Sequence, residues 1–243
     1  MATMTGLDIE IIHKSYPPLG SAPMRRLFEE FRLAVDPGAF VCLLGPSGIG
    51  KTTLLNMISG LDPDYSGRIA FHGVQKPRIG YVFQTPRLLP WRTVLENIML
   101  PLPSTEAARR TAIDLLAGMG MSDTLDVYPE RLSLGMQRRV ALARAFAIDP
   151  DILLMDEPFV SLDEATSDRL RELLSGMLAQ RPATVLFVTH DSRDAIRMAN
   201  RIIVLSDSPV QIVKDVRVGL SHGERRDKGA VEAFRGLYLA QSE

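Results

Sequence analysis

A short glycine-rich loop between two apolar segments constrains this chain more than any other feature of its sequence. The loop is Gly45-Pro46-Ser47-Gly48-Ile49-Gly50-Lys51-Thr52, and it fits the pattern G-x-x-x-x-G-K-[ST]. The apolar run 40–44 before it predicts a buried strand, and the run 53–59 after it predicts a helix that ends at Gly60. A strand, a tight loop and a helix in this order favour a fold that holds phosphate groups at the start of a helix.

The residue types of this loop suit a nucleoside triphosphate. Its glycines allow backbone N–H groups to converge on the phosphates, which the positive end of the following helix also attracts. We expect Lys51 to reach the β- and γ-phosphates, and the hydroxyl of Thr52 to bind the Mg²⁺ that bridges them. The alternative is a Gly/Pro turn that only joins a strand to a helix. The predicted nucleotide contacts are Gly45, Pro46, Ser47, Gly48, Ile49, Gly50, Lys51, Thr52 and Thr53.

The composition predicts a globular chain that stays in the cytosol. With 243 residues, of which 46% are hydrophobic and 23% charged, it can form one large domain or two closely packed subdomains. No apolar run approaches the roughly 18 residues of a membrane span, and the N-terminus lacks the features of a signal peptide. A net charge of −1 gives no broad footprint for nucleic acid, and the arginine pairs 138–139 and 225–226 are expected on solvated faces. The one cysteine, Cys42, is expected to be a small buried hydrophobe.

Apolar periodicity predicts an α/β fold with an antiparallel β subdomain and a helical insertion. Half-buried strands are expected at 8–14 and 31–35, joined by a Pro/Gly-rich connection at 17–23. Continuous apolar runs, typical of parallel strands covered by helices on both faces, occur at 152–155, 185–188 and 202–205.

Helical periodicity fills most of the remaining sequence. It marks crossover helices around 170–178 and 193–198, and an insertion from about 93 to 147 with helices near 107–116 and 136–148. The predicted division of the single domain is an α/β core with the antiparallel subdomain at 1–84 and 151–218, a helical subdomain at 85–150, and a polar tail at 219–243.

Two acidic residues end one of the predicted parallel strands. Asp156 and Glu157 follow the run 152–155, and the carboxyl ends of parallel strands form the edge where open α/β sheets bind ligands. We expect Asp156 to hold Mg²⁺ through its water shell, and Glu157 to accept a proton from the water that attacks the γ-phosphate. The alternative is a strand that simply ends in solvent. His190 ends another such run, where it would hydrogen-bond the γ-phosphate, although taken alone it reads as a structural histidine.

In their order along the chain, these motifs resemble the ATP-binding subunit of ABC transporters, and the resemblance covers nearly the whole sequence. Gln84 is similar to the family's Q-loop, Ser161-Leu162-Asp163 to its D-loop, and His190 to its H-loop. Leu132-Ser133-Leu134-Gly135-Met136 aligns with the signature LSGGQ, and Tyr16 matches the aromatic that stacks on adenine. The resemblance implies a P-loop NTPase, RecA-like core, ATP and Mg²⁺ as ligands, and Gln84 as a catalytic residue and Mg²⁺ ligand.

The signature departs from the family pattern at Leu134, where glycine is usual, and at Met136, where glutamine is usual. Ser133 as hydroxyl donor and N-cap, the Gly135 N–H and a helix N-terminus are all retained. Leu134 disfavours a positive φ, so the loop is expected to differ if the usual glycine is needed for its backbone.

The resemblance also implies partners. Two such subunits form a head-to-tail sandwich in which Ser133 and Gly135 act on the ATP of the other copy. The segment 85–97 is expected to receive a transmembrane permease, with Trp91 either as an anchor or as part of the helical core. Its sequence is similar to importers of the nitrate, sulfonate and taurine group, which implies a solute-binding protein as an indirect partner and a place on the cytoplasmic face of the inner membrane. The alternatives are a cytosolic ABC ATPase without a transporter and a non-hydrolysing ATP-dependent dimerisation module.

Overall fold

A computed structural model of the chain describes residues 4–17, 24–206 and 209–239. The predicted Pro/Gly-rich connection lies outside these ranges except for Pro17, as do the last four residues of the predicted tail. The strands of the described residues are β1 (Gly6–Tyr16), β2 (Arg25–Val35), β3 (Phe40–Leu44), β4 (Ser66–His72), β5 (Ile79–Val82), β6 (Ile152–Asp156), β7 (Thr184–Thr189), β8 (Arg201–Leu205) and β9 (Ile212–Arg217). The α-helices are α1 (Lys51–Ser59), α2 (Val94–Met99), α3 (Glu106–Gly118), α4 (Leu134–Ala147), α5 (Glu164–Gln180), α6 (Ser192–Met198) and α7 (Lys228–Tyr238).

The chain forms two compact units. The first unit comprises Met1–Lys76 and Thr184–Glu243, and the second comprises Pro77–Ala183. The subdomain limits expected from the sequence stay a prediction. The fold is α/β, as predicted, with parallel strands and helices in each unit.

One sheet of the first unit is antiparallel, with the strand order β2-β1-β4. The pairs Leu7–Val35 and Ile9–Leu33 are opposite each other and buried, while intervening positions such as Asp8 are exposed. This alternation is what a sheet with one apolar face requires, and it made β1 and β2 predictable. The third strand, β4, was not predicted because its apolar run is only three residues long, 69–71, and no residue of it is fully buried.

The other strands of the first unit follow the order β7-β3-β8-β9. β3 is parallel to β7 and to β8, and all five of its residues are buried. Cys42 lies in this strand and has no exposed surface, which confirms the prediction of a buried hydrophobe. β9 runs antiparallel to β8 and was not predicted, because charged residues interrupt its short apolar pattern.

The second unit pairs β5 with β6 in parallel and carries the helices α2 to α5. The helices predicted near 107–116 and 136–148 are confirmed as α3 and α4. A Cβ at Gly80 of β5 would lie 2.7 Å from the carbonyl oxygen of Ala145 in α4, so glycine allows the strand and the helix to approach closely. α2 begins with a capping box between Thr93 and Glu96.

The expectation of solvated arginine pairs is wrong for both members of the first pair and for Arg225, since Arg139 is half-buried and only Arg226 is exposed. Arg138 is 4% exposed, and Arg225 is half-buried and donates hydrogen bonds to four backbone carbonyl groups. A guanidinium group can leave solvent where carbonyl oxygens satisfy its donors, which charge patterning alone does not reveal. Within the residues that the structure describes, no helix combines the length and the apolar character needed to span a bilayer.

Candidate functional site

The phosphate loop, residues 45–50, connects the buried strand β3 to α1 in the first unit. Gly48 and Gly50 have φ values of +81° and +119°, which side chains other than glycine rarely adopt. A Cβ at Gly45 would lie 2.9 Å from the side chain of Ile49 and 3.1 Å from the carbonyl oxygen of Leu205. The three glycines therefore fix a tight backbone path, as the sequence pattern predicts.

The start of α1 differs from every other α-helix start in the described residues. Its N-cap is Gly50, which has no side chain to hydrogen-bond the first N–H groups, and its first turn contains no acidic residue. The other six α-helices are capped by a side-chain oxygen, from Thr93, Thr105, Ser133, Asp163, Asp191 and Asp227. No side-chain cap therefore competes with an anion at the N-terminus of α1.

Lys51 holds a positive charge at this helix start. Its side chain is buried, and its Nζ donates to the carbonyl oxygens of Gly45 at 2.6 Å and Pro46 at 2.8 Å. Arg25 adds a second cation, since its Nη2 donates to the carbonyl oxygen of Gly48 at 2.7 Å. Arg25 was not predicted as a site residue, because an exposed arginine at the start of a strand has no distinguishing sequence pattern.

Tyr16 and His190, both predicted site residues, lie beside this loop in the first unit. The hydroxyl of Tyr16 is 3.2 Å from Oγ1 of Thr53 in α1, and the tyrosine is 41% exposed. His190 directly follows β7, and the N–H of Gly45 donates to the carbonyl oxygen of Thr189 at 3.4 Å. The adenine-stacking and γ-phosphate residues of the prediction are thus gathered at the end of β3 and the start of α1.

The acidic loop, residues 157–163, connects β6 to α5 in the second unit. Asp156 and Glu157 are 3% and 8% exposed, which contradicts the alternative of a strand that simply ends in solvent. Glu157 and Ser161 have left-handed backbones, with φ values of +46° and +63°. Arg138 of α4 donates to the carbonyl oxygens of this loop. Burial lowers the pKa of Arg138, and the charge of Glu157 opposes this effect.

Gln84 lies two residues after the end of β5. Val82, the last residue of β5, pairs with Met155 near the end of β6, so both strands end at the same edge of the sheet. The side chain of Gln84 is exposed. Burial and the charge of Asp156 together raise the pKa of Tyr81 in β5, which keeps that phenol protonated next to the acidic strand end.

The predicted signature residues begin α4. Ser133 is the N-cap, and its hydroxyl accepts a hydrogen bond from the N–H of Met136 at 3.3 Å. Leu134 is the first residue of the helix and is not among the described residues with positive φ, so the helix start forms without a glycine there. A Cβ at Gly135 would lie 2.6 Å from Cγ2 of Thr166, whose N–H and hydroxyl both donate to Asp163. Gly135 and Asp163 are thus brought together through Thr166.

Two polar side chains that were not predicted hydrogen-bond the backbone of the segment after Gln84. Arg144 donates to the carbonyl oxygens of Pro86 and Arg87. Asn97 has no exposed surface and hydrogen-bonds the backbone of residues 89, 92 and 93. Trp91 lies within this braced segment and is 69% exposed, so it does not close the core of the helical region.

Comparison with known proteins agrees with these features. A sequence model of the family described as ABC transporter matches residues 28–160. The aliphatic sulfonates import ATP-binding protein SsuB of Bacillus licheniformis is 38% identical over 222 residues, which are 89% of this chain and 87% of that protein. SsuB 1 of Rhodococcus jostii is 40% identical over 205 residues, which are 84% of this chain and 81% of that protein.

Solved structures give the same result for the fold. The ATP-binding cassette MJ0796, solved as a dimer in a post-hydrolysis state with ADP and Pi, is 31% identical with a TM-score of 0.76. The match covers 90% of this chain and all of that one. A second dimeric structure of the same cassette gives a TM-score of 0.77.

The solved relatives define the fold as that of an ATP-binding cassette with a P-loop NTPase core, which agrees with the glycine loop and the uncapped helix start of the first unit. The chain belongs to the ABC transporter family, as an ATP-binding subunit with ATPase activity. The relatives do not favour either alternative function expected from the sequence.

Proposed function

We propose that this chain hydrolyses ATP to power an importer of nitrate-, sulfonate- or taurine-like or other small organic solutes. The observation that carries the ATPase part is the start of α1, which lacks a side-chain cap and carries the buried ammonium group of Lys51. The import part is supported by relatives that are named aliphatic sulfonates import ATP-binding proteins.

In this proposal the phosphate loop binds the triphosphate of ATP. The backbone N–H groups of residues 45–53 donate to the phosphate oxygens, and Lys51 turns from the carbonyl oxygens of Gly45 and Pro46 to the β- and γ-phosphates. Tyr16 stacks on the adenine. Its hydroxyl already contacts Thr53 of α1, which fixes the ring relative to the loop.

The residues proposed for hydrolysis are Glu157, His190 and Gln84. Glu157 accepts the proton of the attacking water, while His190 and Gln84 orient the water and the γ-phosphate. Thr52, Gln84 and Asp156 offer the hard oxygen ligands that Mg²⁺ prefers, so the donor set fits this ion. Mg²⁺ neutralises the charge on the β- and γ-phosphates when it is bound.

The proposed partners are a second copy of the cassette and a transmembrane permease. The dimeric state of the solved relatives supports the first, with Ser133 and Gly135 acting on the ATP of the partner. Asp163 is proposed as a further nucleotide contact. The exposure of Trp91 supports a docking role in the segment 85–97. The cassette would then lie on the cytoplasmic face of the inner membrane, with a solute-binding protein as an indirect partner.

Two variants separate binding from hydrolysis. Lys51→Ala should weaken ATP binding and turnover together, because the cation that pairs with the β- and γ-phosphates is lost. Glu157→Gln should retain ATP affinity and lower kcat by about 10² to 10⁴, because only the general base is lost. Calorimetry with ATP and steady-state hydrolysis measure both effects. Parental hydrolysis by Glu157→Gln would contradict the mechanism, and unchanged affinity in Lys51→Ala would contradict the phosphate contact.

The docking role of Trp91 has its own test. Trp91→Ala should weaken binding to the permease by roughly thirtyfold and leave thermal stability and ATP affinity unchanged, because the indole is already exposed. Tyr238→Ala is the control, since Tyr238 is a half-exposed aromatic residue of α7 in the other unit. Normal permease binding by Trp91→Ala would exclude this residue as an anchor.

A further inference from the structure

Arg138 makes an unusual set of contacts for an arginine in the middle of a helix. It lies in the second turn of α4, five residues after Ser133, and is 4% exposed. Its Nη1 donates to the carbonyl oxygens of Glu157 at 3.1 Å and Pro158 at 2.8 Å, and its Nη2 donates to that of Val160 at 2.7 Å. One planar guanidinium group therefore binds three of the four successive carbonyl groups at the start of the acidic loop.

The surroundings of Arg138 leave little room for water to replace these contacts. The guanidinium borders a cavity of about 10 Å³ that is otherwise lined by apolar residues, among them Met155, Phe159, Leu170 and Leu174. A space of this size holds at most a single water molecule. Without Arg138, the carbonyl oxygens of Glu157 and Pro158 would lose buried donors.

The acidic loop needs such a restraint, because its backbone is held away from the conformation that its residues prefer. Glu157 has a φ of +46°, and a residue other than glycine in this region costs about 1 to 2 kcal/mol. Glu157 is followed by Pro158, whose ring restricts the backbone of Glu157 and with it the direction of the Glu157 carbonyl group. Holding that carbonyl group therefore restrains the backbone from which the carboxylate projects.

We propose that Arg138 is a positioning residue for Glu157, which it holds in the left-handed backbone that directs the carboxylate for proton transfer. The inference rests on the proposed role of Glu157 as general base. Because Arg138 belongs to α4, whose N-cap is Ser133 and whose second residue is Gly135, it also joins the signature to the base through a single helix.

The test measures ATP hydrolysis by variants of the full chain. Arg138→Met keeps most of the side-chain volume and removes all donors. It should lower kcat at least about tenfold and leave the KM for ATP within about twofold, because the base is misplaced while the phosphate loop is unchanged. Arg138→Lys retains the charge and a single donor nitrogen without the planar fork, so its kcat should lie between those of the parent and Arg138→Met. If Arg138→Met does not fold, Arg138→Lys carries the test.

Arg139→Met is the matched control. Arg139 is the next residue of the same helix, half-buried, and donates to the carbonyl oxygen of Met119, which lies outside the acidic loop. This variant should retain the parental kcat even if its thermal stability falls. If Arg138 has only a structural role, both arginine variants should behave alike. Each should melt at a lower temperature than the parent and should keep the parental kcat when assayed well below its melting temperature.

A double-mutant cycle with Glu157→Gln decides whether Arg138 acts through the base. In the Glu157→Gln background, single-turnover hydrolysis should fall by less than about twofold when Arg138 is also replaced by Met or Lys. An equal loss of hydrolysis rate in both backgrounds would overturn the inference about Arg138 but not the proposed base. A parental kcat for Arg138→Met or Arg138→Lys would do the same. Parental hydrolysis by Glu157→Gln itself would overturn the proposed base, and the inference with it.

Discussion

The phosphate loop and the acidic loop have the same strand–loop–helix arrangement but place groups of opposite charge at the start of the helix. Each follows a five-residue buried strand and ends at the start of an α-helix. The first ends at α1, whose N-cap Gly50 offers no side-chain oxygen, with Lys51 as the first helical residue. The second ends at α5, where the carboxylate of Asp163 caps the helix and Glu164 follows in the first turn. One helix start is thus open to a bound anion, while the other already holds an anion of the protein.

The two loops also reach their left-handed backbones in different ways. The phosphate loop places them at Gly48 and Gly50, where no side chain opposes them. The acidic loop places them at Glu157 and Ser161, so the surrounding contacts must impose them. A glycine loop is encoded in its own residues, whereas the acidic loop depends on residues elsewhere in the sequence.

The largest effect on stability is expected from a substitution in the phosphate loop. Gly50→Ala should lower the free energy of unfolding by about 3 kcal/mol, because the φ of +119° is strained for alanine and the new Cβ would lie 2.9 Å from Leu27. ATP affinity should fall with it. Gly60→Ala is the control at φ +76° with no atom within 4 Å, and should cost about 1 kcal/mol. Urea denaturation and calorimetry measure both variants. Equal losses would show that the loop is not tightly packed.

This contrast also explains how much the sequence could predict. The glycine loop, β3 and α1 were predictable because local residues determine them, and Asp156 and Glu157 because they follow an apolar run. The positive φ of Glu157 was not predictable, since the carbonyl contacts of Arg138 come from a distant helix. The contacts of Arg144 with the docking segment were missed for the same reason, because Arg144 lies in α4.

A smaller effect on stability is expected from a substitution that removes backbone strain in the acidic loop. Ser161→Gly should raise the free energy of unfolding by about 0.5 kcal/mol, because glycine removes the cost of φ +63° and this gain exceeds the added entropy of the unfolded chain. Ser167→Gly is the control in the interior of α5 and should lower it by about 1 kcal/mol. If both glycines destabilise equally, the backbone of the acidic loop is not strained at Ser161.

The smallest expected effect concerns the anion that caps α5. Hydrogen bonds from the hydroxyl and the N–H of Thr166 lower the pKa of the Asp163 carboxyl below its ordinary value. A carboxyl group with a lowered pKa in the folded state stabilises the protein above its unfolded pKa of about 3.9, and this contribution is lost as the pH falls through the folded pKa. Asp163→Asn retains an N-cap oxygen but cannot titrate, so its melting temperature should lie slightly below that of the parent at neutral pH and converge with it in acid. Asp168→Asn removes one charge from the same helix outside the cap and provides the control. The difference in melting temperature between Asp163→Asn and the parent should therefore depend on pH. If it stays constant from pH 7 into the acid range, the charge of Asp163 contributes nothing to stability, and the two helix starts differ in geometry alone.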